Sequence, residues 1–311
     1  MLYWDGKSLI PVDFSIHREK GKKESKPYGM SKKELRRQYN KKRIKESESL
    51  QRIKELDTSK IEMMLRMFYN AVYRCLRIDY VLVDNWFTCE ALINAVINQD
   101  THLIGMYKIA STKFLYRGQM LTYSEINRRI SKHARCRSLR YQYKRADVTY
   151  GDTKLTLYFS RQGKKGKWKV FLTTDTNLSF IKLIELYQIR WTVEVFNREA
   201  KGLLNLGGCQ SSNFDARIAD TTISMIAYLL LSFRFRYEHY ESKGALFRSM
   251  NAENLRMTID RRLWGLFVET IQVVAEILDM DADELLERVL THPAAEHLLN
   301  RFCENGLKEA G

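Results

Sequence analysis

The chain has 311 residues, 45% of them hydrophobic, with a formal net charge of +15. That apolar content excludes a wholly disordered chain and suffices for one large domain or two. The charge fits a polyanionic partner such as DNA, RNA or an anionic surface, without choosing among them.

Residues 1–17 read as a hairpin: Leu2 to Trp4 is one arm, Asp5-Gly6 the turn, and Leu9 to Ile16 the other arm. Asp5 is then a turn residue and Asp13 a solvent-facing strand polar. Residues 18–45 hold thirteen Lys or Arg among twenty-eight. So few apolar residues interrupt them that the segment reads as a flexible or partly helical arm. It is either a phosphate-contacting element or a solvated linker.

Ser59 and Glu62 form a capping box for a helix through Leu76. Tyr80 to Val83 follows as a buried strand ending in Asp84, and the next helix starts near Thr88, which can cap it. Asp84 is therefore free of capping duty and stands at a strand carboxyl end, where open α/β sheets bind ligands. A plain loop aspartate is the competing reading.

From Thr101 to Thr174 short β-type runs predominate: Leu103 to Tyr107, Lys113 to Tyr116, Ala146 to Tyr150, Lys154 to Phe159 and Trp168 to Leu172. Arg128 to Arg145 is basic, with Tyr141 and Tyr143 interleaved. It suits phosphate contact and base stacking, or, over Arg128 to Arg140, an amphipathic helix exposing its charges.

One long helix is predicted from Leu178 to about Asn205, ended by Gly207-Gly208. At roughly 100° per residue, Tyr187, Arg190, Glu194 and Lys201 share one side. Ile189, Val193, Phe196, Ala200 and Leu203 share the other. A second helix, Asp215 to Tyr237, is expected beside it, burying Ile218, Ile223, Ile226, Leu229 and Leu230. Helices near 251–279 and 283–304 close the chain. Asp281 or Asp283 reads as a helix cap, because Glu284 stands where a calcium loop requires Gly. From Val268 onward ten acids face three bases, so the remaining body carries the positive charge.

The five cysteines (Cys75, Cys89, Cys136, Cys209, Cys303) lack metal-ligand spacing, which argues against zinc and for a reducing compartment. The first residues are no signal peptide, and the longest apolar run, Met225 to Leu231, is too short to span a bilayer. A soluble cytoplasmic protein with no membrane partner is predicted.

The line Tyr187, Arg190, Glu194, Lys201 has two readings. One is a solvated face of spaced ion pairs. The other is a carboxylate that holds Mg²⁺ or Mn²⁺, flanked by groups that hold phosphates. Tyr, two residues, Arg, three residues, Glu, six residues, Lys resembles the signature of a large family of bacterial insertion-sequence transposases. These are DDE enzymes with a ribonuclease H-like core. Trp191 also looks like that family, as does Asp84-Asn85-Trp86-Phe87 after an apolar strand.

The resemblance covers about residues 1–237 and implies an α/β fold. That fold is a ribonuclease H-like mixed sheet lacking its first strand, a β-rich insertion and an all-helical C-terminal region. It divides the chain into core (1–100 and 175–240), insertion (101–174) and helical tail (241–311). It implies Asp84 and Glu194 as catalytic ligands of Mg²⁺ or Mn²⁺, with Tyr187, Arg190, Trp191 and Lys201 on DNA. Double-stranded DNA is the implied partner, bound by a homodimer. The family's first catalytic Asp precedes the hairpin, so the chain resembles an amino-terminally truncated transposase. The alternative is a catalytically incomplete DNA-binding remnant that inhibits the full-length enzyme.

Overall fold

The computed structural model describes residues 1–17, 31–45, 47–163 and 166–295. Contacts divide the chain into two compact units, Met1–His239 and Tyr240–Gly311.

In the first unit, β1 (Leu2–Trp4) pairs antiparallel with β2 (Leu9–Pro11), Leu2 opposite Pro11. Asp5 Oδ1 accepts the N–H groups of Lys7 at 2.9 Å and Ser8 at 2.7 Å. Gly6 takes φ +96°, which favours glycine. The second arm is shorter than expected, because the N–H groups of Val12 and Asp13 both turn to the Met1 carbonyl and close the ladder. Asp13 is not solvent-facing. Its side chain is 16% accessible and pairs with Arg52 at 3.0 Å. Arg52 also meets the buried Glu55, which Arg66 bonds from a third element. Neighbouring charges compensate one another there.

The turn gives a pH prediction. Asp5 is held down to about 2, first by the backbone donors of Ser8 and Lys7, and further by Arg236. A depressed carboxyl stabilises the fold above its unfolded value of about 4. That contribution is lost as pH falls through about 2. Asp5→Asn should therefore lower Tm slightly at neutral pH, the group being near solvent. The difference should disappear in melts at the acid end. A Tm gap that persists there would refute the assignment.

Three helices follow: α1 (Lys32–Tyr39), α2 (Glu48–Glu55) and α3 (Lys60–Tyr73). Of the basic stretch, residues 18–30 lie outside the described residues, and the rest forms α1 and its exit. Ser59 and Glu62 make the expected capping box. However, α3 stops before Leu76. Cys75 takes φ +59°, and the N–H groups of Cys75 and Leu76 fold back onto the carbonyls of Val72 and Ala71. That is a Schellman closure.

Eight strands form one mixed sheet. They are β3 (Tyr80–Val83), β4 (His102–Met106), β5 (Lys113–Tyr116), β6 (Gln119–Thr122), β7 (Ala134–Cys136), β8 (Tyr141–Tyr150), β9 (Thr153–Gln162) and β10 (Lys169–Thr173). The order is β3-β4-β10-β9-β8-β5-β6, with β7 beside β8. Only β3 and β4 run parallel, joined through α4 (Glu90–Ile97). The sequence reading missed β6 and β7. Where it allowed a charged helix from Arg128 to Arg140, α5 (Tyr123–Arg129) ends and β7 pairs with β8.

Helices cover both faces of this sheet. On one, Leu92 and Val96 of α4 and Phe68 of α3 pack with Leu103, Leu157, Phe159 and Leu172. On the other, Phe180, Leu183 and Ile184 pack with Ile104, Tyr158 and Phe171. β9 is buried without a break from Leu155 to Ser160, as a strand covered on both faces should be.

The single helix expected from Leu178 to Asn205 is two: α6 (Phe180–Ile189) and α7 (Thr192–Leu204). At the junction the N–H groups of Val193 and Glu194 reach back three residues, to Arg190 and Trp191. The Thr192 hydroxyl takes the Ile189 carbonyl at 2.7 Å. The turn tightens without a breaker residue. α7 ends on Asn205, at φ +57°, ahead of the two glycines.

α8 (Phe214–Tyr237) buries a different side from the one expected. Ile218 is inside, but Ile223, Ile226 and Leu230 are 66%, 53% and 61% exposed. The inner line carries Tyr228, Leu231, Ser224 and Ser232. Tyr228 stacks edge-on against Phe196 of α7 at 4.7 Å and donates to Glu199 at 2.7 Å. By length and composition α8, of mean hydropathy 1.3, is apolar enough to cross a membrane, although its longest apolar run alone is not.

The second unit holds α9 (Lys243–Leu278), which begins earlier than expected, and α10 (Ala282–Thr291). Asp281 caps α10 by accepting from Asp283 and Glu284. Residues 296–311, including the end of the helix expected to 304, lie outside the described residues. The architecture is mixed α/β with a helical C-terminal region.

Candidate active site

β3 delivers Asp84 at its carboxyl end, where the chain turns sharply. Asp84 Oδ1 accepts the Trp86 N–H at 2.9 Å. Its carbonyl accepts the Thr88 hydroxyl at 2.8 Å. Thr88 therefore does not cap α4. Cys89 occupies that position and makes no side-chain cap bond. Thr88 is 1% exposed and lies over Gly105 of β4, the residue paired with Val83. A Cβ on Gly105 would fall 2.2 Å from Thr88 Oγ1.

Gly105→Ala should therefore push Thr88 off the Asp84 carbonyl and destabilise the protein by about 1–3 kcal/mol. Chemical denaturation would measure it. An unchanged midpoint would show that the loop yields freely.

The helical side carries the second carboxylate. Arg190 Nη2 donates to Glu194 Oε1 at 3.1 Å across the junction. Glu194 is 42% accessible as a side chain. Yet its Oε2 is turned inward, buried and without a hydrogen-bond partner, as are the Tyr187 hydroxyl and Arg190 Nε. Three unsatisfied polar atoms within one stretch of eight residues are costly unless something else meets them. The Tyr187 ring rests edge-on against Phe171 at 4.9 Å. Burial pushes its phenol pKa up; Arg190 opposes this, and the charges of Asp84 and Glu194 add to it. Asp84 and Glu194 lie 110 residues apart in sequence.

The remaining expected residues lie farther out. Trp191 is 64% exposed, and Lys201 is an exposed residue about 10 Å along α7 from Glu194. Sequence reasoning missed the Thr88–Gly105 packing. A glycine inside a strand was the available signal.

The donors fit a hard divalent cation. Carboxylate oxygen is the ligand Mg²⁺ and Mn²⁺ prefer, and Glu194 Oε2 lacks any other partner. Among the described residues no group of three His, Cys, Asp or Glu gathers to hold an ion. Two carboxylates would leave the other positions to water and substrate oxygens, as Mg²⁺ tolerates.

A carboxylate at a strand end and a second one bonded by an arginine at a helix junction are the kinds of group that serve metal-assisted chemistry on phosphates. A family model described as the transposase DDE domain matches residues 5–230. The chain belongs to that family, the DDE-type transposases. A comparison with curated proteins gave no match. The family acts on DNA and generally uses divalent metal ions.

Proposed function

We propose that Asp84 and Glu194 together ligate Mg²⁺ or Mn²⁺ for DNA strand cleavage and strand transfer at insertion-element ends. The inward, unpartnered Glu194 Oε2 carries this reading. A bound divalent ion would stabilise charge on the scissile phosphate and activate water or a 3′ hydroxyl. Arg190 keeps Glu194 oriented through Nη2, and its guanidinium adds positive charge that favours a nearby phosphate. Lys201 adds a point charge farther along the strand. Tyr187, its pKa raised, stays protonated at neutral pH, and its hydroxyl, closed off here, would donate to the DNA backbone or to a displaced base once the site opens. Trp191, exposed beside the site, offers a stacking face.

The same reading makes the sheet ribonuclease H-like, with 1–100 and 175–240 as core, 101–174 as insertion and 241–311 as tail. The described sheet stops at β3, so the strand bearing Asp84 has one side without a strand neighbour. The protein would act in the cytoplasm as a homodimer on duplex DNA.

Among the described residues no group of three His, Cys, Asp or Glu gathers, which favours a second reading: a DNA-binding remnant that inhibits an intact enzyme. Nicking and strand transfer on supercoiled plasmid, with Mg²⁺ and with Mn²⁺, separates the two. Glu194-dependent product supports the enzyme. Salt-sensitive duplex binding without any cleavage supports the remnant.

A further inference from the structure

Residues 31–45 contain eight Lys or Arg and one acid. Such a run is ordinarily a solvated, mobile face, but here it is pinned. Ser31 and Glu34 close a capping box at the start of α1. At its end the Tyr39 ring meets Phe214 of α8 edge-on at 5.4 Å. Gln38 Oε1 accepts the Phe214 N–H at 3.0 Å. Arg43 completes the lock. Its side chain is 5% accessible, and its Nε bonds Asp215 at 2.7 Å. Its other nitrogens donate to the carbonyls of Gln38, Tyr39 and Lys41. One arginine thus ties the exit of α1 to the start of α8.

The locked helix turns its other side outward. Lys32, Lys33, Arg36 and Arg37 are exposed, and Lys42 continues the surface beyond the helix. The i, i+4 pairs Lys32–Arg36 and Lys33–Arg37 set like charges side by side, which costs helix stability by itself. A polyanion running past the helix would relieve that repulsion.

We propose that this face of α1 is a phosphate-contacting ridge for double-stranded DNA, separate from the carboxylates and held ready by the Arg43–Asp215 lock. The family's DNA substrate supplies the partner. The ridge has no exposed aromatic between its cations, so it contacts the backbone without reading bases. Because the helix is already ordered, its cations lose less conformational freedom on binding than those of a loose arm.

The test is binding of the full chain to a 30-base-pair duplex in EDTA across a salt series. Omitting divalent ions keeps the result independent of the metal reading. Replacing Lys32, Lys33, Arg36 and Arg37 together by Ala preserves helix propensity. Circular dichroism checks folding. Affinity at 0.1 M salt should fall at least about tenfold, and the log–log salt slope should flatten by roughly 2–4 units. Asp215→Asn supplies a test of opposite sign. Removing an acid alone would strengthen DNA binding, whereas releasing the lock weakens it by about three- to tenfold. Three outcomes overturn the proposal: an unchanged slope in the folded quadruple variant, tighter binding by Asp215→Asn, or a preference of the wild-type chain for RNA over duplex DNA.

Discussion

Glu194→Gln is expected to abolish Mn²⁺ binding and to reduce any metal-dependent nicking by at least about 10³-fold, a loss of several kcal/mol of charge stabilisation. The substitution keeps the shape and the Arg190 contact at Oε1 but places a neutral amide where an unpartnered oxygen now points inward. Asp84→Asn should do the same, and the double variant should be little worse than either alone, because groups that act as one unit are not additive. Titration calorimetry reads the binding even where turnover is slow. Mn²⁺ affinity retained in both single variants would remove these residues from the site.

Phe196→Ala is expected to cost about 3–5 kcal/mol of stability. Phe196 is 8% exposed and meets the Tyr228 ring at 4.7 Å, so truncation opens a hole between α7 and α8. The consequence reaches the site, because Glu194 sits half a turn earlier on the same helix. Urea unfolding gives the magnitude, and Mn²⁺ binding below the transition gives the functional loss. A change under about 1 kcal/mol would show that neighbouring side chains close the gap.

The places of single residues were more legible in the sequence than the packing. Arg190 and Glu194 meet across the junction at the expected i, i+4 spacing, and the place of Asp84 at a strand end was visible because an apolar strand runs straight into it. The break at Arg190 left no trace. Both junction residues keep right-handed helical angles, and only the choice of carbonyl by each N–H changes. The buried side of α8 was also hidden, since apolar residues line two sides. Tyr228 decides between them through Glu199, a partner no periodicity reveals. Likewise Asp13 looked like a surface residue until Arg52 arrived from α2 to meet it.

The strand that carries Asp84 has a consequence for the protein in solution. Tyr80-Val81-Leu82-Val83 is a β-branched and aromatic run with neither Lys nor Pro to blunt its outer margin. Such a margin is adhesive. At high concentration, copies should self-associate along it, and Val81→Lys should keep them dispersed.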